Sequence, residues 1–181
     1  MNNLPKKYHK KDIATAQLKT AIELFLKYKY LSGSITLSSA AGTILSQLAR
    51  NTDEECFIDY ACRIYAHLNK GQTPARKEYN HHIDKILGVP PHKHMNNSDS
   101  ETVELDMLAC AEDGITRAIS DYVALYGQKE AFIKHFLQWK WDYRNGKKLM
   151  EELNYEQRRI YQLKDAALYR FTIGMYGIVD Y

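Results

Sequence analysis

The segment that most constrains the fold of this chain is GSITLSSAAGTILSQLAR, residues 33–50, which is rich in small side chains. From about Ser34 to Arg50, apolar residues recur at helical spacing, and Ser, Ala, Gly and Thr stand between them. Because small side chains leave little bulk between helix axes, neighbouring helices can approach such a segment closely. The segment therefore predicts a tightly packed central helix.

Helical periodicity continues along most of the chain, and no pair of strands is indicated. We predict the other helices at about Asp12–Leu31, Asp53–Leu68, Asp99–Tyr126, Lys129–Tyr143 and residues 147–171, and Thr73-Pro74 offers a start for a further short helix through Leu87. The predicted fold class is all-α, a bundle of about five to six helices with a long irregular connection around residues 70–98. We expect a basic N-terminal tail at residues 1–11 and a helical bundle domain at residues 12–145. Residues 146–181 should form a C-terminal helix and an apolar tail that packs on the body or on a partner.

The composition limits the compartment and the partners. The 181 residues suffice for one domain with a real core, and a net charge of +3 permits a nucleic-acid partner without requiring one. No stretch reaches the roughly 20 apolar residues that cross a bilayer, and the first residues lack a signal-like apolar run, so we expect a cytoplasmic protein without membrane contact.

The odd count and wide spacing of Cys56, Cys62 and Cys110 favour buried free thiols. Most of the 14 tyrosines stand at helical spacing, which favours helix packing over a base-stacking surface.

The stretch PPHKHMNNSDSE, residues 90–101, interrupts the helical pattern. Pro90 and Pro91 are expected to stop a helix, and Ser98 with Glu101 has the spacing of a capping box that would start the next one. Histidines and carboxylates near this stretch suggest a metal site, and they are His81, His82, His92, His94, Asp84 and Asp99. Their spacing matches no HExxH or Cys/His zinc pattern, so we expect neither a metal nor another cofactor.

Arginine–histidine pairs suggest a different chemistry, the cleavage of RNA without a metal. A histidine can act there as general base or acid while an arginine stabilises the phosphate charge. Arg76 precedes His81 by five residues, and Arg63 and His67 lie four apart on one helix face. Eight arginines and seven histidines make such spacings common, and a solvated helix face is the alternative interpretation of Arg63 and His67.

Three segments within roughly residues 12–140 carry a resemblance to a known family: AQLKTAIELFLKYKYLSGSITLSSAAGTILSQL, HKHMNNSDSETVELDMLACAEDGITRAISDYVALYG and FIKHFLQW. They resemble an uncharacterised bacterial all-helical family that is similar to the HEPN superfamily (nucleotide-binding domains of higher eukaryotes and prokaryotes). The family's pattern is an amphipathic helix, a small-residue helix, Arg-Asn-x-x-Lys-His before a polar loop, and a long helix with Arg-Ala and Asn/Asp-Tyr elements. In this chain, Lys93-His94 matches the Lys-His, whereas Val89 and Pro90 stand at the Arg-Asn positions.

The resemblance implies a HEPN-like bundle, often dimeric, whose Arg and His line a cleft between two subunits. Many members of the superfamily are metal-independent ribonucleases or partners of toxin and defence systems. Because the Arg-Asn is missing, we predict a non-catalytic interaction or ligand-binding module that forms a homodimer, with RNA or a protein as a possible partner. The alternative is a metal-independent ribonuclease, or a toxin- or defence-related RNA-binding protein, that uses His94 or the pair Arg76 and His81. The candidate residues for binding nucleic acid or a ligand are Lys93, His92, Asn96, Arg63 and His67.

Overall fold

The computed structural model describes residues 6–69, 71–93 and 100–143. These ranges contain helices and no strand, which confirms the predicted all-α class for the described part of the chain. The helices are α1 (Lys10–Glu23), α2 (Leu31–Asn51), α3 (Phe57–Leu68), α4 (Arg76–Ile86), α5 (Val89–Lys93), α6 (Met107–Tyr126) and α7 (Ala131–Trp141).

The small-residue helix α2 is central, as its sequence predicts, and packs against both α1 and α6. A Cβ atom built on Gly42 would lie 3.7 Å from the Cβ of Ala118 in α6, and one built on Gly114 would lie 2.9 Å from the Oγ of Ser38. On the α1 side, the buried Ser34 hydroxyl donates to the carbonyl oxygen of Ala21 at 3.1 Å. Small side chains on both partners therefore let the helix backbones approach closely.

The boundary between the first two helices differs from the predicted one. α1 passes into a π-helical turn, Leu24–Tyr28, which ends at Lys29 with a left-handed backbone (φ 54°). α2 begins at Leu31, so Gly33 lies inside its first turn and does not end the preceding helix. A Cβ on Gly33 would lie 2.6 Å from the ring of Tyr30, which shows that the glycine makes room for this ring.

Two further helices begin later than predicted because their N-termini are capped by other residues. α3 begins at Phe57, since Asp53 has a left-handed backbone (φ 58°) and cannot continue a helix. α6 begins at Met107, where Asp106 accepts a hydrogen bond from the backbone nitrogen of Ala109 at 2.9 Å. The predicted capping box fails at Glu101, which is not helical; Ser98 is not among the described residues.

Within the predicted irregular connection around residues 70–98, α4 (Arg76–Ile86) agrees with the short helix expected at Thr73–Leu87, whereas α5 (Val89–Lys93) was not expected. Pro90 and Pro91 lie in the first turn of α5. The first turn of a helix tolerates proline, since its backbone nitrogens have no partner within the helix. Gly88, between the two helices, has a left-handed backbone (φ 65°). The prolines therefore start a short helix here instead of preventing one.

The chain divides between Tyr126 and Gly127 into two compact units. Helices α1 to α6 belong to the first unit and α7 to the second, so the first unit ends before residue 145, the predicted end of the bundle domain. Within the described ranges, no helix combines the length and the apolar character that a bilayer crossing requires. The predicted helix at residues 147–171 and the tail after it fall outside those ranges.

Candidate functional site

An open cavity of about 430 Å³ lies between α3 and α4. Its lining comes from one turn near the end of α3, from the segment that joins the two helices, and from the first half of α4. The lining residues are Tyr65, Pro74, Glu78, Tyr79 and His82. The volume lies within the range of about 300–1,000 Å³ that is usual for small-molecule sites.

Three aromatic rings give the cavity its shape. Tyr65 and Tyr79 meet edge to face, with ring centroids 5.6 Å apart and planes at 62°. Tyr79 also adjoins His82, at 6.4 Å between centroids and 37° between planes. Aromatic pairs of this kind contribute about 0.5–1.5 kcal/mol beyond the area that they bury. The rings of Tyr65 and Tyr79 therefore form two walls of a corner that is fixed by their contact.

Tyr79 anchors this corner to the hydrophobic interior. It packs against a cluster of buried residues made of Ala49, Cys56, Ile58 and Cys62. Burial raises the pKa of the Tyr79 hydroxyl, with smaller contributions from Cys62 and Tyr65. Tyr65, by contrast, is 39% exposed, so its ring is accessible from solvent.

Glu78 supplies the charge of the cavity. It lies four residues before His82, so the two side chains share one face of α4. Glu78 is exposed, and no side chain in the described part of the chain forms an ion pair or hydrogen bond with it. None of the five lining residues is a lysine or an arginine. The described lining of the cavity thus combines aromatic faces with one carboxylate.

Arg76, a predicted catalytic residue, is engaged in a different contact. Its Nε forms an ion pair with Asp59 of α3, and its Nη2 lies 3.3 Å from the Sγ of Cys56. Burial alone would raise the pKa of Asp59, but hydrogen bonds from Cys56 and Arg76 outweigh it and lower the pKa overall. Arg76 therefore holds α4 against the start of α3.

His81 and Arg76 lie on different faces of α4. Residues five apart on an α-helix point about 140° away from each other. Arg76 faces α3, while the His81 side chain is exposed. No contact joins the two in the described part of the chain, so their combined role remains a prediction.

Arg63 and His67 lie on the exposed side of α3. Arg63 makes a two-pronged ion pair with Glu55, with N···O distances of 2.9 and 3.0 Å, and its guanidinium lies 5.2 Å from the ring centre of Tyr60. Its charge is directed toward the N-terminal end of α3 and away from His67. The alternative interpretation as a solvated helix face fits this geometry.

Two of the remaining predicted residues, His92 and Lys93, lie in α5. The Nδ1 of His92 lies 2.6 Å from the carbonyl oxygen of Gly88, and the Nζ of Lys93 donates to the hydroxyl of Ser39 in α2 at 2.8 Å. Lys93 thus attaches α5 to α2, whereas His92 makes a local contact with the residue that precedes α5. His94 and Asn96 lie outside the described residues. Among the residues that the structure describes, no three His, Cys, Asp or Glu side chains are grouped as a metal ion would require.

A network that the sequence did not reveal links α4 to α6. The guanidinium of Arg117 donates to Asp84 at 2.6 Å and to Asn80 at 2.8 Å, and the amide of Asn80 donates to Asp84 at 3.1 Å. Asn80 and Asp84 lie four apart on α4 and so face α6 together. Their spacing was visible in the sequence, but the arginine that joins them is more than 30 residues further along.

Comparisons of the chain with protein-family models, curated proteins and solved structures found no match. The resemblance to the HEPN superfamily therefore stays a prediction.

Proposed function

We propose that this chain is a non-catalytic, HEPN-like ligand-binding module and that the cavity between α3 and α4 is its binding site. The observation that carries the proposal is the composition of the cavity wall. Tyr65 and Tyr79 form a fixed aromatic corner, and beside it stands the carboxylate of Glu78, which no described residue pairs with. A mostly apolar hollow with a few convergent polar groups is the usual form of a small-ligand site.

The pairing of the arginines supports a non-catalytic role. Arg63, Arg76 and Arg117 each form an ion pair with a carboxylate of the same chain. An arginine that stabilises a phosphate in a transition state must present its donors to the substrate. These three guanidinium groups present theirs to Glu55, Asp59 and Asp84.

RNA cleavage in EDTA tests this proposal against the ribonuclease alternative. The wild-type protein is incubated with mixed RNA beside His81→Ala, His94→Ala and Arg76→Ala variants, all purified in parallel. We expect equal background cleavage in the four samples. EDTA-resistant cleavage that disappears in one of the three variants would overturn the non-catalytic proposal.

Ligand binding is tested by calorimetry with a small panel of cationic, neutral and anionic probes. Tyr65→Leu serves as the cavity variant, and Tyr28→Leu, at a tyrosine that is 68% exposed outside the cavity, serves as its matched control. We expect at least one probe to bind wild type and the Tyr28 variant alike and to bind the Tyr65 variant more weakly. Equal binding by all three proteins would place the site elsewhere.

We also propose that the module is a homodimer, as the resemblance implies. Light scattering at high protein concentration should then return a particle of two 21.0 kDa chains. A particle of a single chain under the same conditions would contradict this part of the proposal.

A further inference from the structure

We infer that the ligand of the α3–α4 cavity is an organic cation, a guanidinium or alkylammonium group. This inference rests on the proposed function and adds the chemical class of the ligand. The cation could belong to a free small molecule or to an arginine or lysine side chain of a partner, and the experiment below separates these two sources.

The aromatic corner favours a cation because the face of an aromatic ring carries partial negative charge. Tyr65 and Tyr79 stand at 62° to each other, so a group in the corner meets the face of at least one ring. A cation within about 6 Å of a ring centroid is attracted to the ring, and the attraction is stronger when the site is shielded from water. Tyr79 is partly shielded, since it packs on the buried cluster beneath it.

The carboxylate adds a charged partner for the same ligand. Glu78 lines the cavity one turn before His82, and in the described part of the chain its charge is not neutralised by an ion pair. A hydrogen bond between a cationic donor and a carboxylate is about twice as strong as one between neutral groups. An anionic ligand would meet this carboxylate without a lysine or arginine among the described lining residues.

The size of the cavity indicates that the cation carries a further chain. A guanidinium or trimethylammonium head fills only a small part of about 430 Å³. The remaining volume is bounded by Pro74 and the ring of His82, which suit the alkyl or amide portion of a larger molecule. An arginine side chain with its flanking peptide bonds fits this description, as does a substituted alkylammonium.

Calorimetric titration of the full-length protein tests the inference. The cationic probes are acetyl-arginine-methylamide and choline. Acetyl-citrulline-methylamide has nearly the same shape as the arginine probe without its charge, guanosine is a neutral planar probe, and adenosine monophosphate is an anionic one. We expect the arginine probe to bind at least about tenfold more tightly than the citrulline probe, which corresponds to about 1.4 kcal/mol.

Variants assign the effect to the cavity. Glu78→Gln and Tyr65→Leu should each weaken binding of the arginine probe by about fivefold or more. Glu54→Gln, at another exposed glutamate, and Tyr28→Leu should leave the binding unchanged. Because the side chains of Tyr65 and Glu78 reach solvent, both cavity variants should retain the helical circular-dichroism signal of the wild type. Glu78→Gln should also keep the wild-type melting temperature, whereas Tyr65→Leu loses the contact with Tyr79 and should melt slightly lower.

The outcomes separate the inference from the proposed function. If guanosine or the citrulline probe binds as tightly as the arginine probe, and Tyr65→Leu abolishes that binding, the cation inference fails while the ligand-binding proposal stands. If no probe binds, or if neither cavity variant changes the binding, the cation inference and the ligand-binding proposal both fail. Preference for acetyl-arginine-methylamide over choline supports a partner's side chain, and the reverse preference supports a free alkylammonium molecule.

Discussion

The Oδ1 atom of Asp121 lies 2.6 Å from the backbone nitrogen of Phe57 and accepts its hydrogen bond. Asp121 belongs to α6 and Phe57 is the first residue of α3, so a carboxyl 64 residues away satisfies one of the open N–H groups at the start of a helix. Asp121 is 1% exposed, and its Oδ2 has no hydrogen-bond partner in the described part of the chain. Burial raises the pKa of this carboxyl to about 6, although the Phe57 hydrogen bond and Arg117 lower it.

This raised pKa predicts that the contribution of Asp121 to the free energy of unfolding falls as the pH rises from about 4 to about 6. The folded protein binds the Asp121 proton more tightly than the unfolded chain, whose carboxyl has the usual pKa of 3.8. The stabilisation from that proton is fully present below pH 3.8 and is lost as the pH rises through 6. Its full size is about 3 kcal/mol, from roughly two pH units at 1.36 kcal/mol each.

Asp121→Asn keeps an acceptor oxygen for Phe57 and has no proton to release. We expect the variant to lack this part of the pH dependence and to exceed wild type in stability at pH 8, by up to about 3 kcal/mol. Urea unfolding followed by circular dichroism between pH 4 and 8 measures the difference. Asp53→Asn, at an exposed aspartate, is the control and should follow the wild-type curve. Parallel pH curves for wild type and Asp121→Asn would show that the carboxyl is not the source.

The packing of α2 against α6 predicts opposite effects of two glycine-to-alanine changes. In Gly114→Ala, the new Cβ would lie 2.9 Å from the buried Oγ of Ser38, and such overpacking costs about 1–3 kcal/mol. In Gly42→Ala, the new Cβ would make an ordinary 3.7 Å contact with Ala118. Both glycines lie inside helices, so both changes gain about 1 kcal/mol of helix propensity, which in Gly114→Ala offsets part of the overpacking cost. Gly42→Ala should therefore be neutral or stabilising while Gly114→Ala destabilises.

A double variant tests the cause of that difference. Ser38→Ala removes the oxygen that the new Cβ of Gly114→Ala would meet, and the next nearest atom of residue 38 lies 4.0 Å away. The double variant should therefore be more stable than Gly114→Ala alone in thermal and urea unfolding. A double variant as unstable as the single one would place the strain elsewhere in the α2–α6 contact.

The helices and the central place of α2 could be predicted because they depend on local periodicity and side-chain size. The first residues of α3 and α6, by contrast, were beyond what local periodicity can predict. The start of α3 depends on Asp121, which is distant in sequence, and on the left-handed backbone of Asp53. The expectation that Pro90 and Pro91 stop a helix is wrong for another reason. Proline is excluded from a helix interior but not from its first turn, where these two residues lie. A pattern alone does not say on which side of a boundary these prolines fall.

The candidate site was less accessible from the sequence than the fold. The four-residue spacing of Glu78 and His82 predicts that they share a helix face, but Tyr65 joins them only because α3 and α4 pack side by side. The partner of Arg76 also depends on how α3 packs against α4. Spacing suggested His81 as its partner, whereas the structure pairs it with Asp59, 17 residues earlier. Contacts between helices determine both the position of Tyr65 in the cavity and the partner of Arg76. Such contacts cannot be inferred from a single sequence.

The three cysteines are predicted to be inert toward thiol reagents in the folded protein. All are free and buried, as the sequence analysis expected, and burial raises the pKa of the Cys62 and Cys110 thiols. The thiolate is the reactive form, so a raised pKa slows reaction further. With Ellman's reagent at pH 8, we expect the native protein to react at less than about one-hundredth of the rate of the unfolded chain. Tyr28→Cys, at a highly exposed position, should add one fast equivalent, and fast labelling of native wild type would contradict the prediction.

The ion pair between Arg117 and Asp84 should contribute more to stability than the pair between Arg63 and Glu55. The Arg117 and Asp84 side chains are 11% and 27% exposed, against 50% and 34% for Arg63 and Glu55, so solvent screens the second pair more. Double-mutant cycles with alanine in urea unfolding measure each coupling. We expect about 1–3 kcal/mol for Arg117–Asp84 and below about 1 kcal/mol for Arg63–Glu55. Added salt should reduce the second coupling and spare most of the first. Equal couplings would mean that the α4–α6 network is as solvated as the surface pair. The ion pair of Arg117 within the chain would then no longer support a non-catalytic role.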